Sequence, residues 1–153
     1  MSKFSLAQIK VVRVQEMAVS PKMDAPEIVT RFWKRHIAKE TWFDPAKEAA
    51  IVVILNTRYR AIGWNLIGLG TLNESILHPR EVLRPVIALS GYAFIVAHNH
   101  PSGNSRPSRA DRDLTKRLAE AGALMQIFML DHIIVGRQKS YSFARRKWRG
   151  GYF

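Results

Sequence analysis

Two histidines, His98 and His100, lie two residues apart directly after the apolar stretch 93–97. In a strand, side chains at positions i and i+2 emerge on the same face, so both imidazoles can reach one ion. Pro101 ends the strand, and Asp111 falls in the first turn of a predicted helix. Two imidazoles and a carboxylate leave the fourth tetrahedral position of zinc open to water, which is typical of a catalytic site. The chain has no cysteine, so any metal must bind to His, Asp or Glu.

Ser108 and Asp111 also have the spacing of a helix capping box, with Asp in place of Glu. Taken alone, this local explanation accounts for both residues. Its combination with the histidine pair at a strand end favours the metal site. Ser108 can cap the helix and still face the metal.

The spacing of these residues resembles a known signature. His98-x-His100-Pro101, then six residues, then Ser108-x-x-Asp111 is similar to the JAMM motif of JAB/MPN-type metallopeptidases. The resemblance to the bacterial RadC branch of that family covers roughly residues 45–143. It rests on further motifs: Gly70-Thr71-Leu72, His78-Pro79-Arg80-Glu81, Ala97-His98-Asn99-His100-Pro101-Ser102-Gly103 and Leu130-Asp131-His132-Ile133-Ile134-Val135-Gly136.

The resemblance implies a zinc-dependent peptidase or isopeptidase acting on a protein or peptide, with zinc held by His98, His100 and Asp111. Glu48 occupies the place of the family's catalytic glutamate, at the start of a core strand. As general base it would accept a proton from the attacking water and pass it to the leaving amine. Ser108 would donate a hydrogen bond to the oxyanion of the tetrahedral intermediate.

The hydrophobic pattern predicts the elements that position these residues. A continuous apolar run at 48–55 is typical of a central strand covered on both faces, and a return strand at 61–69 would complete a hairpin. The remaining predicted elements are a helix containing Pro85 at 79–89, a strand at 93–97, a helix at 108–121 ended by Gly122, and strands at 127–135 and 141–143. This order predicts an α/β fold, a mixed sheet flanked by helices. The family resemblance implies a JAB/MPN-like, cytidine-deaminase-like architecture.

Two segments flank the predicted JAB/MPN domain at 45–143. Residues 1–44 are expected to form an extension, packed on the domain or flexible, with a strand near 9–15 and a helix starting near Asp24, Pro26 and Glu27. Residues 144–153 form a basic and aromatic tail.

The 153 residues carry 24 Lys and Arg against 12 Asp and Glu, a net charge of +12. Six of these positive charges, with no acid, lie in residues 137–153. The tail is either a solvated segment or a contact for nucleic acid, with arginines on phosphates and aromatic rings on bases. The alternative function is therefore a DNA-associated module of the DNA-repair type that uses its basic surface and keeps the metal fold as a scaffold. A metal phosphoesterase is a weaker alternative, because two-metal nucleases need additional bridging carboxylates.

The sequence has no signal-peptide pattern and no apolar run near the ~18 residues that a membrane span needs, so a cytoplasmic protein is expected. The oligomeric state does not follow from the sequence. Either His78 or His132 could lie behind the metal ligands. Asp131 is poorly placed to orient the His132 ring, because neighbouring strand residues face opposite sides.

Overall fold

The computed structural model describes residues 21–70 and 77–146. A single mixed sheet is formed by five strands: β1 (Glu48–Leu55), β2 (Ala61–Gly70), β3 (Ala93–Asn99), β4 (Phe128–Val135) and β5 (Ser140–Ser142). Their spatial order is β2-β1-β3-β4-β5. The pair β3–β4 is parallel and the other neighbours are antiparallel, so the predicted hairpin of β1 and β2 and the mixed sheet are confirmed.

In the described part of the chain, three α-helices cover the two faces of the sheet: α1 (Pro26–Arg35), α2 (Pro79–Ala88) and α3 (Arg109–Leu124). Val29, Phe32 and Trp33 of α1 pack on one face, together with alternate residues of β1 such as Ile51 and Val53. The other alternate residues of β1 face α2 and α3. Because β1 is covered on both faces, its sequence is apolar from Ala49 to Leu55 rather than alternating.

Helix α1 lies within the predicted extension 1–44 and contributes to the core. It begins at Pro26, as predicted, but Asp24 does not cap it: Ala25 is the N-cap, and no side chain caps the helix. Asp24 instead pairs with Lys22 at 2.9 Å, and the Glu27 carboxylate pairs with Arg145. The predicted strand near 9–15, the motif residues Thr71 and Leu72, and residues 147–153 of the basic tail lie outside the described residues.

Helix α3 continues through Gly122 to Leu124, so the prediction that Gly122 ends it is wrong. Gly122 is a packing residue. A Cβ at this position would lie 2.6 Å from the carbonyl oxygen of Ile127 and 3.0 Å from the Phe94 ring. The chain reverses after α3 at Gln126, which has a left-handed φ of 55°.

The topology brings three segment ends together at one edge of the sheet. Strand β3 ends at Asn99, and the following loop leads to the first turn of α3. Strand β1 runs antiparallel to β3 with Ala50 opposite His98, so its first residue, Glu48, lies beside the end of β3. No helix within 21–70 and 77–146 has the length and hydropathy of a bilayer span.

Candidate metal centre

Three side chains converge where β3 ends and α3 begins. His98 Nε2 lies 3.1 Å from Asp111 Oδ1 and 3.1 Å from His100 Nε2, and His100 Nε2 lies 3.3 Å from Asp111 Oδ2. The His98 and Asp111 side chains are buried, whereas that of His100 is 14% exposed. Within the described residues, this is the group whose His and carboxylate atoms lie close enough together to hold a metal ion. The structure thus brings together the three predicted ligands.

The loop between the two ligand-bearing elements fixes His100. Its Nδ1 lies 2.8 Å from the carbonyl oxygen of Asn104. A carbonyl only accepts hydrogen bonds, so Nδ1 carries the proton and donates it. Gly103 makes this return possible with a left-handed φ of 78°, and its amide donates to the His100 carbonyl at 2.9 Å.

Ser108 and Asp111 form the capping box that their spacing predicts. The Ser108 amide and hydroxyl both donate to Asp111 Oδ2, at 2.6 and 2.7 Å. The Asp111 amide in turn donates to Ser108 Oγ at 3.1 Å. Asp111 therefore closes the helix cap and faces the two imidazoles at the same time, so the two interpretations of this motif are compatible.

The electrostatics of the cluster favour an ionised Asp111 carboxylate beside a protonated His100. Burial opposes ionisation of Asp111, but a hydrogen bond from His100 and the neighbouring ring of His98 hold the pKa of its carboxyl far below the usual value. The same hydrogen bond to Asp111 raises the pKa of His100, and the nearby charge of Glu48 raises it further.

Glu48 stands beside the three ligands without belonging to their group. Its charge acts on His100, yet its carboxylate is not among the clustered ligand atoms. The buried Asn99 holds the backbone on both sides of it. Asn99 Oδ1 accepts from the Ala49 amide at 2.9 Å, and Nδ2 donates to the Lys47 carbonyl at 3.0 Å. No local sequence pattern predicts this clamp, because it depends on the pairing of β1 with β3.

A second buried histidine, His132, lies behind His98. The two rings meet at 2.9 Å through His98 Nδ1 and His132 Nε2, and His132 Nδ1 lies 2.6 Å from Thr115 Oγ1. Burial holds the pKa of His132 well below its usual value. Asp131 does not contact the ring, as predicted: its carboxylate accepts from the amides of His132 and Ala144 and from Ser142 Oγ.

The other predicted candidate, His78, is exposed and makes no side-chain cap at the start of α2. Thr115 was not among the residues singled out from the sequence. Its position in the sequence could have indicated a place near the metal ligands, because Thr115 lies one helical turn after Asp111 on the same face of α3.

Comparison with known proteins gives one family. Residues 23–148 match the sequence model of the RadC-like JAB domain. A UPF0758 protein from Chlorobium chlorochromatii is 48% identical over 103 residues, which are 67% of this chain and 46% of that protein. A UPF0758 protein from Haemophilus influenzae is 38% identical over 130 residues, 85% of this chain and 57% of that protein. The chain spans about half the length of these curated relatives.

Proposed function

This chain belongs to the RadC-like JAB domain family, as its motifs predict, and we propose that it is a zinc-dependent metallohydrolase that cleaves a peptide or isopeptide bond. The observation that carries the proposal is the convergence of His98 Nε2, His100 Nε2 and the Asp111 carboxylate within 3.1–3.3 Å of one another. Two imidazoles and one carboxylate are the donor set of many catalytic zinc sites, which keep a coordination position for water or substrate.

A zinc ion bound by these three residues would lower the pKa of water to about 7 and polarise the scissile carbonyl. Glu48 is the proposed general base. It lies close enough for its charge to act on His100, and its carboxylate is not among the clustered ligand atoms. In this role it accepts the proton of the attacking water and returns it to the leaving nitrogen. The Asn99 clamp holds residues 47 and 49, and so fixes the backbone that carries this carboxylate.

Ser108 is proposed to stabilise the oxyanion. Its single hydroxyl proton is donated to Asp111 Oδ2 at 2.7 Å. Donation to an oxyanion therefore requires the hydroxyl to turn away from Asp111 when substrate binds. The Ser108 amide keeps its own bond to Oδ2, at 2.6 Å, so Asp111 stays fixed during this change.

Hydrolysis is tested with the zinc-loaded protein on two substrate sets: a proteome-derived peptide mixture and a library of lysine isopeptides. Mass spectrometry reads new amino termini and released lysine side chains. We expect products from the unaltered protein and none from Glu48→Gln, which retains zinc. Equal product formation by Glu48→Gln contradicts the role of Glu48, and a zinc-loaded wild-type protein that cleaves neither set contradicts the peptidase proposal.

A second candidate function is nucleic-acid binding on the basic surface. It is favoured by exposed arginines on the segments that surround the metal centre: Arg106 and Arg109 on either side of Ser108, and Arg137 packed on Gly103. The discriminating experiment measures binding of labelled DNA to metal-free Asp111→Ala over a salt series. Tight binding near physiological salt that is lost in Arg106→Glu/Arg109→Glu supports this candidate, and no binding removes it.

A further inference from the structure

We propose that His132 and Thr115 are positioning residues that fix the tautomer of His98, so that His98 presents an unprotonated Nε2 to the metal. This inference rests on the metal-binding part of the proposed function. Neither residue touches the three clustered ligand atoms. Both act through a chain of hydrogen bonds that starts and ends at metal ligands.

The proton positions follow from the outer end of this chain. Thr115 Oγ1 lies 2.6 Å from the Asp111 carbonyl oxygen and 2.6 Å from His132 Nδ1. A carbonyl oxygen can only accept, and a threonine hydroxyl has one proton to donate. That proton goes to the Asp111 carbonyl, and Thr115 Oγ1 must therefore accept from His132. His132 Nδ1 carries a proton.

The other ring nitrogen of His132, Nε2, is unprotonated. The ring is fully buried and stacks on Phe143, with centroids 5.1 Å apart and planes 9° apart. Asp131 is the nearest acid in sequence, and its carboxylate accepts hydrogen bonds from two backbone amides and from Ser142 Oγ. No carboxylate of residues 21–70 and 77–146 contacts the His132 ring, so the ring is neutral, because burial without a charged partner penalises the charged form. His132 Nε2 therefore accepts a hydrogen bond.

His98 supplies that hydrogen bond. Its Nδ1 lies 2.9 Å from His132 Nε2, so Nδ1 carries the proton and Nε2 has a free lone pair. This Nε2 is the atom that lies 3.1 Å from both Asp111 Oδ1 and His100 Nε2. The opposite tautomer of His98 would place a hydrogen on Nε2, where the metal must bind. It would also leave two unprotonated nitrogens, His98 Nδ1 and His132 Nε2, facing each other in the core.

The two histidine ligands are thus oriented in different ways. His100 is set by one carbonyl in an exposed loop, whereas His98 is set through a buried ring and a helix hydroxyl. Partners of this kind typically affect metal affinity by roughly 10–100-fold. The chain also returns to the backbone of Asp111, so the same threonine ties together the strand ligand and the helix ligand.

The tautomer is measured directly on the metal-free protein by ¹⁵N NMR of the imidazole nitrogens, at about pH 8.5, where an unperturbed imidazole is neutral. Thr115→Val removes the hydroxyl at nearly constant shape, and Thr115→Ser is the matched control that keeps it. His132→Phe removes the acceptor for His98. We expect His98 to be protonated on Nδ1 in the unaltered protein and in Thr115→Ser, and to populate the Nε2–H form in His132→Phe and Thr115→Val.

Zinc affinity is the second readout, with backbone amide spectra confirming that each variant is folded. We expect the affinity of Thr115→Val and His132→Phe to fall by roughly 10–100-fold, and that of Thr115→Ser to change by less than about 3-fold. An Nε2–H His98 in the unaltered protein, or unchanged affinity in folded Thr115→Val and His132→Phe, overturns the proposal. Failure of the unaltered protein to bind zinc would contradict the proposed function instead, because the tautomer is read without metal.

Discussion

Replacing Asn99 with alanine tests whether this side chain fixes the start of β1 and the position of Glu48. The change deletes two hydrogen bonds, at 2.9 Å to the Ala49 amide and 3.0 Å to the Lys47 carbonyl. Ala49 is fully buried, so its amide loses its partner without access to water, at a cost of about 1–3 kcal/mol. Lys47 is exposed, so water can replace the second bond, whose loss costs about 1 kcal/mol or less.

The free energy of unfolding of metal-free Asn99→Ala should therefore fall by about 1–4 kcal/mol, measured by urea denaturation. Asn56→Ala is the matched control. Asn56 also makes two hydrogen bonds to the backbone, because its Oδ1 accepts from the amides of Arg58 and Arg60. These bonds lie in an exposed turn where water can substitute, so their loss should cost about 1 kcal/mol or less. Equal costs for the two variants would refute the reasoning. Zinc-loaded Asn99→Ala should also hydrolyse substrate more slowly than Asn56→Ala, because only the former releases the backbone on both sides of Glu48.

Three further predictions concern the cap, the core and the pH dependence. Ser108→Ala should lower the free energy of unfolding by about 1 kcal/mol through loss of the capping box, while Ser108→Thr should retain it; equal stabilities would contradict the cap. Gly122→Ala should cost about 1–3 kcal/mol in urea denaturation, because its Cβ would lie 2.6 Å from the Ile127 carbonyl oxygen, and an unchanged midpoint would show that the helix end adjusts freely. The pKa of His100 is higher in the folded protein than its ordinary value of 6.5, so protonation of His100 stabilises the metal-free fold. This stabilisation is complete below pH 6.5 and is lost as pH rises through the pKa of the folded state. Urea denaturation over a pH series should show that fall in the unaltered protein but not in His100→Gln; a fall that persists in the variant would exclude His100 as its source.

The metal ligands were predictable because each depends on local chain geometry. The two-residue period of β3 places His98 and His100 on one face, and the capping box fixes Asp111 at the first turn of α3. The meeting of the strand end with the helix start then needs only the short loop between them. The place of Glu48 followed from the family resemblance, since no local pattern links the start of β1 to the end of β3.

The supporting residues depend on tertiary neighbours and were not predictable in the same way. His132 reaches His98 because β4 runs parallel to β3, with His132 opposite Val96. In a sequence with several strands, the pattern of β4 does not say which strand is its neighbour. Glycine is common at helix ends, which predicts an end at Gly122. The helix instead continues, and the glycine is needed because Phe94 and Ile127 approach it closely. Packing gives His132 a contact that its local sequence pattern does not predict, and at Gly122 it overrides the local preference for a helix end.

The metal centre is tested most directly by the metal content of the purified, untagged protein. This content is measured by elemental analysis beside His98→Ala/His100→Ala and Asp111→Ala. We expect about one zinc per chain in the unaltered protein and none in the folded variants. Absence of zinc after reconstitution, or zinc retained in the folded variants, would contradict a metal centre built on His98, His100 and Asp111.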